Sequence, residues 1–333
     1  MRSRHNSTRF IIDGMICAVS LNPAVDKYLR LQQLRRGEHV EVEEVVTSAG
    51  GKGINVAGVL RVLGEEVEVI GFFGGHTGAY ILEEVAREGI HVDPVRIQAT
   101  TRTAFVVVEA DGCETEIVEP GGEVSAAEIV QLRAQLRQTA ARAAVVVLSG
   151  SVPPGCPDDI YVQLLRDCGG HCPVIVDTSR RWLRAVYESH PRPAPAIVKP
   201  NRREAEALLG ETLADAPGIG RALQRLAQAG IGMPVISDGA AGLYALAGGQ
   251  VLRAVMPKLQ RVNSVGSGDA AVAGLAAGLA RGLKPEAMLQ LAAACGGANV
   301  LTKECAQVRR EDLEGLLPQI AVRRVEATTP CPA

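Results

Sequence analysis

The stretch Ala144-Val-Val-Val-Leu-Ser-Gly-Ser-Val-Pro-Pro-Gly155 decides the fold. Apolar residues run without alternation from Ala144 to Leu148 and stop at a Ser-Gly turn. A strand buried on both faces of a parallel sheet reads this way. Similar runs lie at Ile16–Leu21, Val67–Phe72, Val174–Val176, Ala196–Val198 and Val235–Ser237. Helical patterns separate them at Gly78–Glu88, Ala126–Ala140, Asp158–Asp167, Arg202–Leu209 and Ile219–Gln228. Three more helices, Asp269–Arg281, Pro285–Leu301 and Arg310–Ile320, are expected near the carboxyl end. Strand–helix alternation of this kind gives an α/β sheet covered by helices on both faces. Two segments break the rhythm. Val25 to Val46 and Arg102 to Val118 alternate apolar and polar residues, with Asp111-Gly112 as a hairpin turn. They read as half-exposed antiparallel strands of a small β lid.

Composition narrows the function classes. The 35 basic and 37 acidic residues leave a net charge of -2, which argues against a nucleic-acid partner, whose binding would rest on neutralising phosphates. No stretch reaches the roughly 20 apolar residues of a membrane span. Eight cysteines in 333 residues are not a disulfide framework. Cys168, His171 and Cys172 fall short of the four ligands of a structural metal site. Scattered reduced thiols and the lack of a secretion signal point to the cytoplasm. Residues 1–14, basic and interrupted by Asp13, read as a flexible extension. One domain is expected over 15–323, with its lid at about 23–47 and 98–120, and a tail over 324–333.

Four runs carry chemistry. Asn263-Ser-Val-Gly-Ser-Gly-Asp269 feeds a helix of small apolar residues, and the amino end of such a helix is an anion site. Asp269 in the first turn suits a base that takes a proton from an attacking hydroxyl, or else a simple N-cap. Ser48-Ala-Gly-Gly-Lys-Gly-Ile-Asn55 is a second Gly-rich helix start, offering Lys52 and Asn55. It is neither a P-loop nor a dinucleotide fingerprint. Lys199-Pro-Asn-Arg-Arg-Glu204 follows a strand, where Asn201 and Glu204 form either a capping box or a nucleotide contact through Mg²⁺-bound water. Ser149-Gly-Ser-Val-Pro-Pro-Gly155 and Ser237-Asp-Gly-Ala-Ala-Gly242 follow further strand ends.

Together with Leu21-Asn-Pro-Ala-Val-Asp26 and Val176-Asp-Thr-Ser179, these runs resemble the PfkB (ribokinase-like) carbohydrate kinases, especially the phosphosugar branch, from about Met15 to Val322. The resemblance implies a ribokinase-like three-layer sandwich with a mostly parallel central sheet and a small β lid. It implies Asp269 as catalytic base, with Gly266, Ser267 and Gly268 as the anion hole. Asp26, Gly51, Lys52, Gly53, Asn55 and Ser151 would hold the sugar, and Arg102 its existing phosphate. Lys199, Asn201, Glu204, Ser237, Gly239, Gly242 and Asn299 would serve ATP and Mg²⁺, with a monovalent cation near Asn263–Val265 left open. A homodimer through the lid is implied as well.

The resemblance suggests an ATP-dependent kinase acting on a hydroxymethyl group of a ketohexose monophosphate. Gly37-Glu-His-Val-Glu41 lacks the basic residues of the 6-phosphofructokinase members, which favours fructose 1-phosphate, with tagatose 6-phosphate or fructose 6-phosphate as alternatives. A kinase of a neutral sugar or nucleoside, and a non-catalytic sugar-phosphate sensor, remain as rivals. Asp238 departs from the family's apolar residue and puts a charge beside the nucleotide.

Overall fold

The computed structural model describes residues 14–325. The expected amino-terminal extension over 1–13 and the tail from 326 lie outside the described residues.

A ten-stranded sheet runs in the order β14 (Ala321–Val325), β13 (Gln250–Val255), β12 (Leu243–Ala247), β11 (Met233–Ser237), β10 (Ile197–Val198), β9 (Val174–Asp177), β8 (Val145–Ser149), β1 (Ile16–Ser20), β4 (Val67–Phe73) and β5 (His91–Arg96). Every pairing from β5 to β11 is parallel, and the three pairings from β11 out to β14 are antiparallel. The mostly parallel sheet expected from the Val-rich runs is therefore present. Its last strand continues to Val325, two residues past the expected end of the domain.

Alternate strand residues feed two separate cores. Val145 and Val147 of β8 pack with α1 (Lys52–Val62), α2 (Gly75–Arg87), α8 (Ser267–Ala280), α9 (Pro285–Val300) and α10 (Arg310–Leu316). Val146 and Leu148 pack with α3 (Ala126–Ala140), α4 (Ile160–Asp167), α5 (Arg180–Ser189), α6 (Arg202–Leu209) and α7 (Ala216–Gln228). Cys168 and Cys172 belong to the second core. This is the three-layer arrangement, and the period of two along a strand produces it. The small side chains of α8 leave it buried almost all round against α9.

The lid is a second sheet in the order β3 (Glu44–Gly50), β2 (Ala24–Leu31), β6 (Arg102–Glu109), β7 (Glu114–Val118). Its outer pairs are antiparallel as expected, but the central pair β2–β6 is parallel. Both strands leave the main sheet from the same end, β2 after β1 and β6 after β5, so they travel in the same direction. The hairpin at Asp111-Gly112 closes with Glu109 N–H donating to the Cys113 carbonyl at 2.9 Å.

Candidate active site

Beneath the lid, at the carboxyl ends of the parallel strands, lies a cavity of about 800 Å³. Ligands of open α/β sheets bind at such strand ends. Of the expected residues, Asp26, Gly51, Lys52, Asn55, Arg102, Ser151, Gly266, Gly268 and Asp269 line it.

Asp269 sits in the first turn of α8, 5% exposed. It is not the N-cap: Gly266 holds that position, with φ 84 and no side-chain cap. A Cβ at Gly266 would meet the Ala306 nitrogen at 2.3 Å and Cys305 Sγ at 2.7 Å, so only glycine fits this approach. The leading N–H groups of α8 consequently face a cavity without a competing side chain. Asn55 Nδ2 donates to Asp269 Oδ2 at 2.8 Å, fixing the carboxylate. Burial pushes Asp269 up to about 6; Lys52 and the Asn55 bond pull down, and Asp177 pushes up. Asp26, also nearly buried, lies so close over Gly50 that a Cβ there would fall 2.0 Å from its Oδ2. Burial raises Asp26 to about 7, against the pull of Arg102, and the nearby Asp269 adds to the rise.

Arg102 is aimed by carbonyls. Its Nε and Nη2 donate to the Asn22 carbonyl at 3.2 and 3.1 Å, and Nη1 to that of Glu119 at 3.1 Å. Two N–H groups, one on each terminal nitrogen, remain for a planar bidentate partner such as a phosphate. Asn22 also donates to Ser151 Oγ at 3.3 Å, tying the loop after β8 to this corner.

Lys52 donates to Asp177 Oδ2 at 3.1 Å, and Lys199 reaches Asp177 Oδ1 at 3.2 Å. Burial alone would raise the Asp177 carboxyl, but Lys199 and Lys52 together hold it below its ordinary value. Burial works against the charge of Lys52, yet Asp177 and Asp269 outweigh it and keep the ammonium above its usual range. Asp177 belongs to the quoted Val176-Asp-Thr-Ser179 run but carries no role in the sequence reading, because its partners lie 125 residues upstream and 22 downstream. Asn22, inside the quoted Leu21–Asp26 run but given no role there, also lines the cavity, as do Cys305 and Glu116, which no motif marks.

Of the expected nucleotide residues, Lys199, Asn201, Glu204, Ser237, Gly239 and Gly242 follow the ends of β10 and β11. Asn201 pairs with Ser237 across them. The capping box at α6 is real: Glu204 N–H donates to Asn201 Oδ1 at 2.9 Å, and Asn201 N–H to Glu204 Oε2 at 2.8 Å. Glu204 Oε1 stays outside the box. Among the described residues no three His, Cys, Asp or Glu side chains gather as a metal cluster. That fits an Mg²⁺ carried by phosphates and water, with one or two carboxylate contacts. Gly239 and Gly242 flank a short turn after β11.

Four of the residues singled out in the sequence have the following surroundings. Gly53 does not line the cavity and packs against Ser20. Asn299 is wholly buried, and its Nδ2 donates to the Val265 carbonyl and to Ser267 Oγ, both at 2.9 Å. It braces the glycine loop through the Val265 carbonyl and the Ser267 hydroxyl. Asp238 is not a bare charge, since Arg202 Nη1 lies 3.4 Å from both of its oxygens.

Known proteins share this arrangement. The family described as "pfkB family carbohydrate kinase" matches residues 16–311. Phosphofructokinase-2 from Escherichia coli, solved with potassium, is 28% identical, covers 92% of this chain and 99% of its own, and superposes with a TM-score of 0.86. A possible 1-phosphofructokinase from Thermotoga maritima is 26% identical over 94% of this chain and 100% of its own, with a TM-score of 0.85. Ribokinase from Arabidopsis thaliana, 22% identical over 91% of this chain and 98% of its own with a TM-score of 0.72, shares the fold. The family match spans nearly all of the described residues, and the chain belongs to the pfkB family of carbohydrate kinases.

Proposed function

We propose that this ATP-dependent carbohydrate kinase phosphorylates a hydroxymethyl group of a ketohexose monophosphate, with fructose 1-phosphate the preferred acceptor and fructose 1,6-bisphosphate the product. The observation that carries the reading is one cavity holding both Asp269 at the start of α8 and a carbonyl-aimed Arg102. Asp269 takes the acceptor's hydroxyl proton, the freed oxygen attacks the γ-phosphorus of ATP, and the bond to ADP breaks. The N–H groups of the Gly266–Asp269 turn face the transferring phosphoryl and stabilise its spread charge. Asp26 and Asn55 hold the sugar hydroxyls, Arg102 the existing phosphate. Lid closure excludes water and so suppresses ATP hydrolysis.

Lys199, Asn201, Glu204, Ser237, Gly239 and Gly242 form the nucleotide side, and Glu204 and Asn201 would hold Mg²⁺ through water. Mg²⁺ supplies charge neutralisation for the phosphates. Asn299 Oδ1, a buried oxygen without a hydrogen-bond partner, is the donor a monovalent cation would draw on beside Val265. Val45 (56% exposed) and Ile117 (54%) share one face of the lid by register, and a homodimer through that face would cover them. No described helix is long and apolar enough to cross a membrane.

The test is ADP release from Mg-ATP with fructose 1-phosphate, tagatose 6-phosphate, fructose 6-phosphate, fructose and ribose side by side. Preference for a phosphorylated ketose is the expected result and names the acceptor. Preference for fructose, ribose or none of the five overturns the reading.

A further inference from the structure

Cys305 belongs to the short run between α9 and α10, and its side chain lines the acceptor cavity together with Asn55 and Asp269. The run is pinned on one side by the buried Thr302, whose Oγ1 lies 2.8 Å from the Asn299 carbonyl and 3.0 Å from that of Gln307. On the other side Cys305 and Ala306 lie against Gly266, and Ala306 holds a left-handed φ of 52. The backbone that carries the sulfur is thus fixed from two directions.

From this place the sulfur meets the side chain that holds Asp269. Asn55 Nδ2 carries two hydrogens. One goes to Asp269 Oδ2 at 2.8 Å and the other to Cys305 Sγ at 3.5 Å. Two acceptors define the amide plane, whereas one alone would let the amide swing about its Cβ–Cγ bond. Burial keeps the thiol protonated, and the Asp269 and Asp26 carboxylates reinforce this. The sulfur therefore accepts from Asn55 without placing a further charge beside the base. Tyr28, on lid strand β2, is 7% exposed, and its hydroxyl has no hydrogen-bond partner. The Cys305 thiol is its polar neighbour, and an S–H turned to the Tyr28 oxygen supplies the missing bond while the sulfur still accepts from Asn55.

We infer that Cys305 is a positioning residue for the phosphoryl transfer: its neutral thiol takes the second Asn55 hydrogen and so keeps the amide, and through it the Asp269 carboxylate, aimed at the acceptor hydroxyl. The inference rests on the reading of Asp269 as the base.

The test pairs Cys305→Ala, which removes the acceptor, with Cys305→Ser, which supplies another. Turnover of Mg-ATP with the acceptor that wild type prefers is measured for all three proteins. Cys305→Ala lowers kcat about two- to tenfold, the net worth of one hydrogen bond, leaves KM for ATP unchanged, and Cys305→Ser recovers most of the loss. A second readout needs no substrate. The Asp269 carboxyl is titrated by carbon-13 NMR in the full-length protein, its resonance identified by its absence from Asp269→Asn. Lys52 and Asn55 of α1, Asp26 of β2, Asp177 of β9, Lys199 after β10 and Cys305 face this carboxyl, and only the last differs among the three proteins. Because the Asn55 bond pulls Asp269 down, Cys305→Ala moves its titration to higher pH and Cys305→Ser leaves it near that of wild type. Wild-type kcat together with a wild-type Asp269 titration in Cys305→Ala overturns the inference. So does a Cys305→Ser protein as impaired as Cys305→Ala, which makes the sulfur a filler of space. Full turnover in Asp269→Asn removes the base reading, while an upward Asp269 titration in Cys305→Ala still supports Cys305 as the residue that sets this carboxyl through Asn55.

Discussion

Asp269 and Asp26 are two acids in one cavity, burial raises both, and the proposed function gives them different tasks. Replacing Asp269 with Asn keeps the shape and the Asn55 contact but removes the proton acceptor. Turnover should fall by about two to four orders of magnitude, the usual worth of a positioned base. The same variant should not melt earlier at pH 8. An acid whose pKa is raised by folding favours the folded state below about pH 4, and that advantage disappears as pH rises through about 6. At pH 8 the ionised Asp269 is thus a burden that Asn lacks. Since Asp269 must be ionised to accept a proton and Asp26 to accept sugar hydroxyls, kcat/KM of the free enzyme should climb with pH between about 6 and about 7. A profile flat from pH 5 to pH 8 would contradict both assignments. Motifs were enough to mark Lys52, Asn55 and Asp269 as residues that line one cavity. Asp177 was not marked, because its meaning lies in two lysines that only the fold brings to it.

At the scale of the element, legibility follows the caps. The limits of α3 and α6 match the sequence reading residue for residue, and each begins with a reciprocal capping box, at Ser125 and Asn201. The three-strand edge β12–β14 escaped, since antiparallel edge strands do not read as continuous apolar runs. So did α5, whose opening Arg-Arg disguises a buried Trp182–Leu183–Val186 face. The box at α6 also makes the nucleotide assignment testable. Asn201→Ser retains a capping oxygen but loses the amide, so thermal stability should hold while KM for ATP rises. Asn201→Ala loses both, with a stability cost of about 1 kcal/mol. Equal ATP affinity in both variants and wild type would leave Asn201 a cap and nothing else. At the start of α8, Gly266→Ala forces a Cβ into Ala306 and a residue into φ 84. It should cost roughly 1–3 kcal/mol from backbone strain alone, read as a lower Tm, together with most of the turnover.

The whole molecule was legible where buried parallel strands dictate it: the layered sheet, the helices on both faces and the lid excursion all follow from apolar periodicity. The parallel β2–β6 pairing was not, because direction depends on where each excursion leaves the main sheet. If the lid's outer face joins two copies, Ile117→Lys should shift the protein to monomers in sedimentation velocity, leaving its melting temperature nearly unchanged. A wild-type protein that already sediments as a monomer would remove the lid from that role. The buried carboxylate of Asp177 stands between the acceptor half and the nucleotide half and grips one lysine from each. An anion that draws Lys199 toward itself leaves Asp177 to Lys52 alone, and the converse holds for the sugar phosphate. On the proposed reading the two substrates should be thermodynamically linked, each changing the dissociation constant of the other by the same factor. Asp177→Asn should bring that factor close to one, read as equal dissociation constants for either ligand with and without the other.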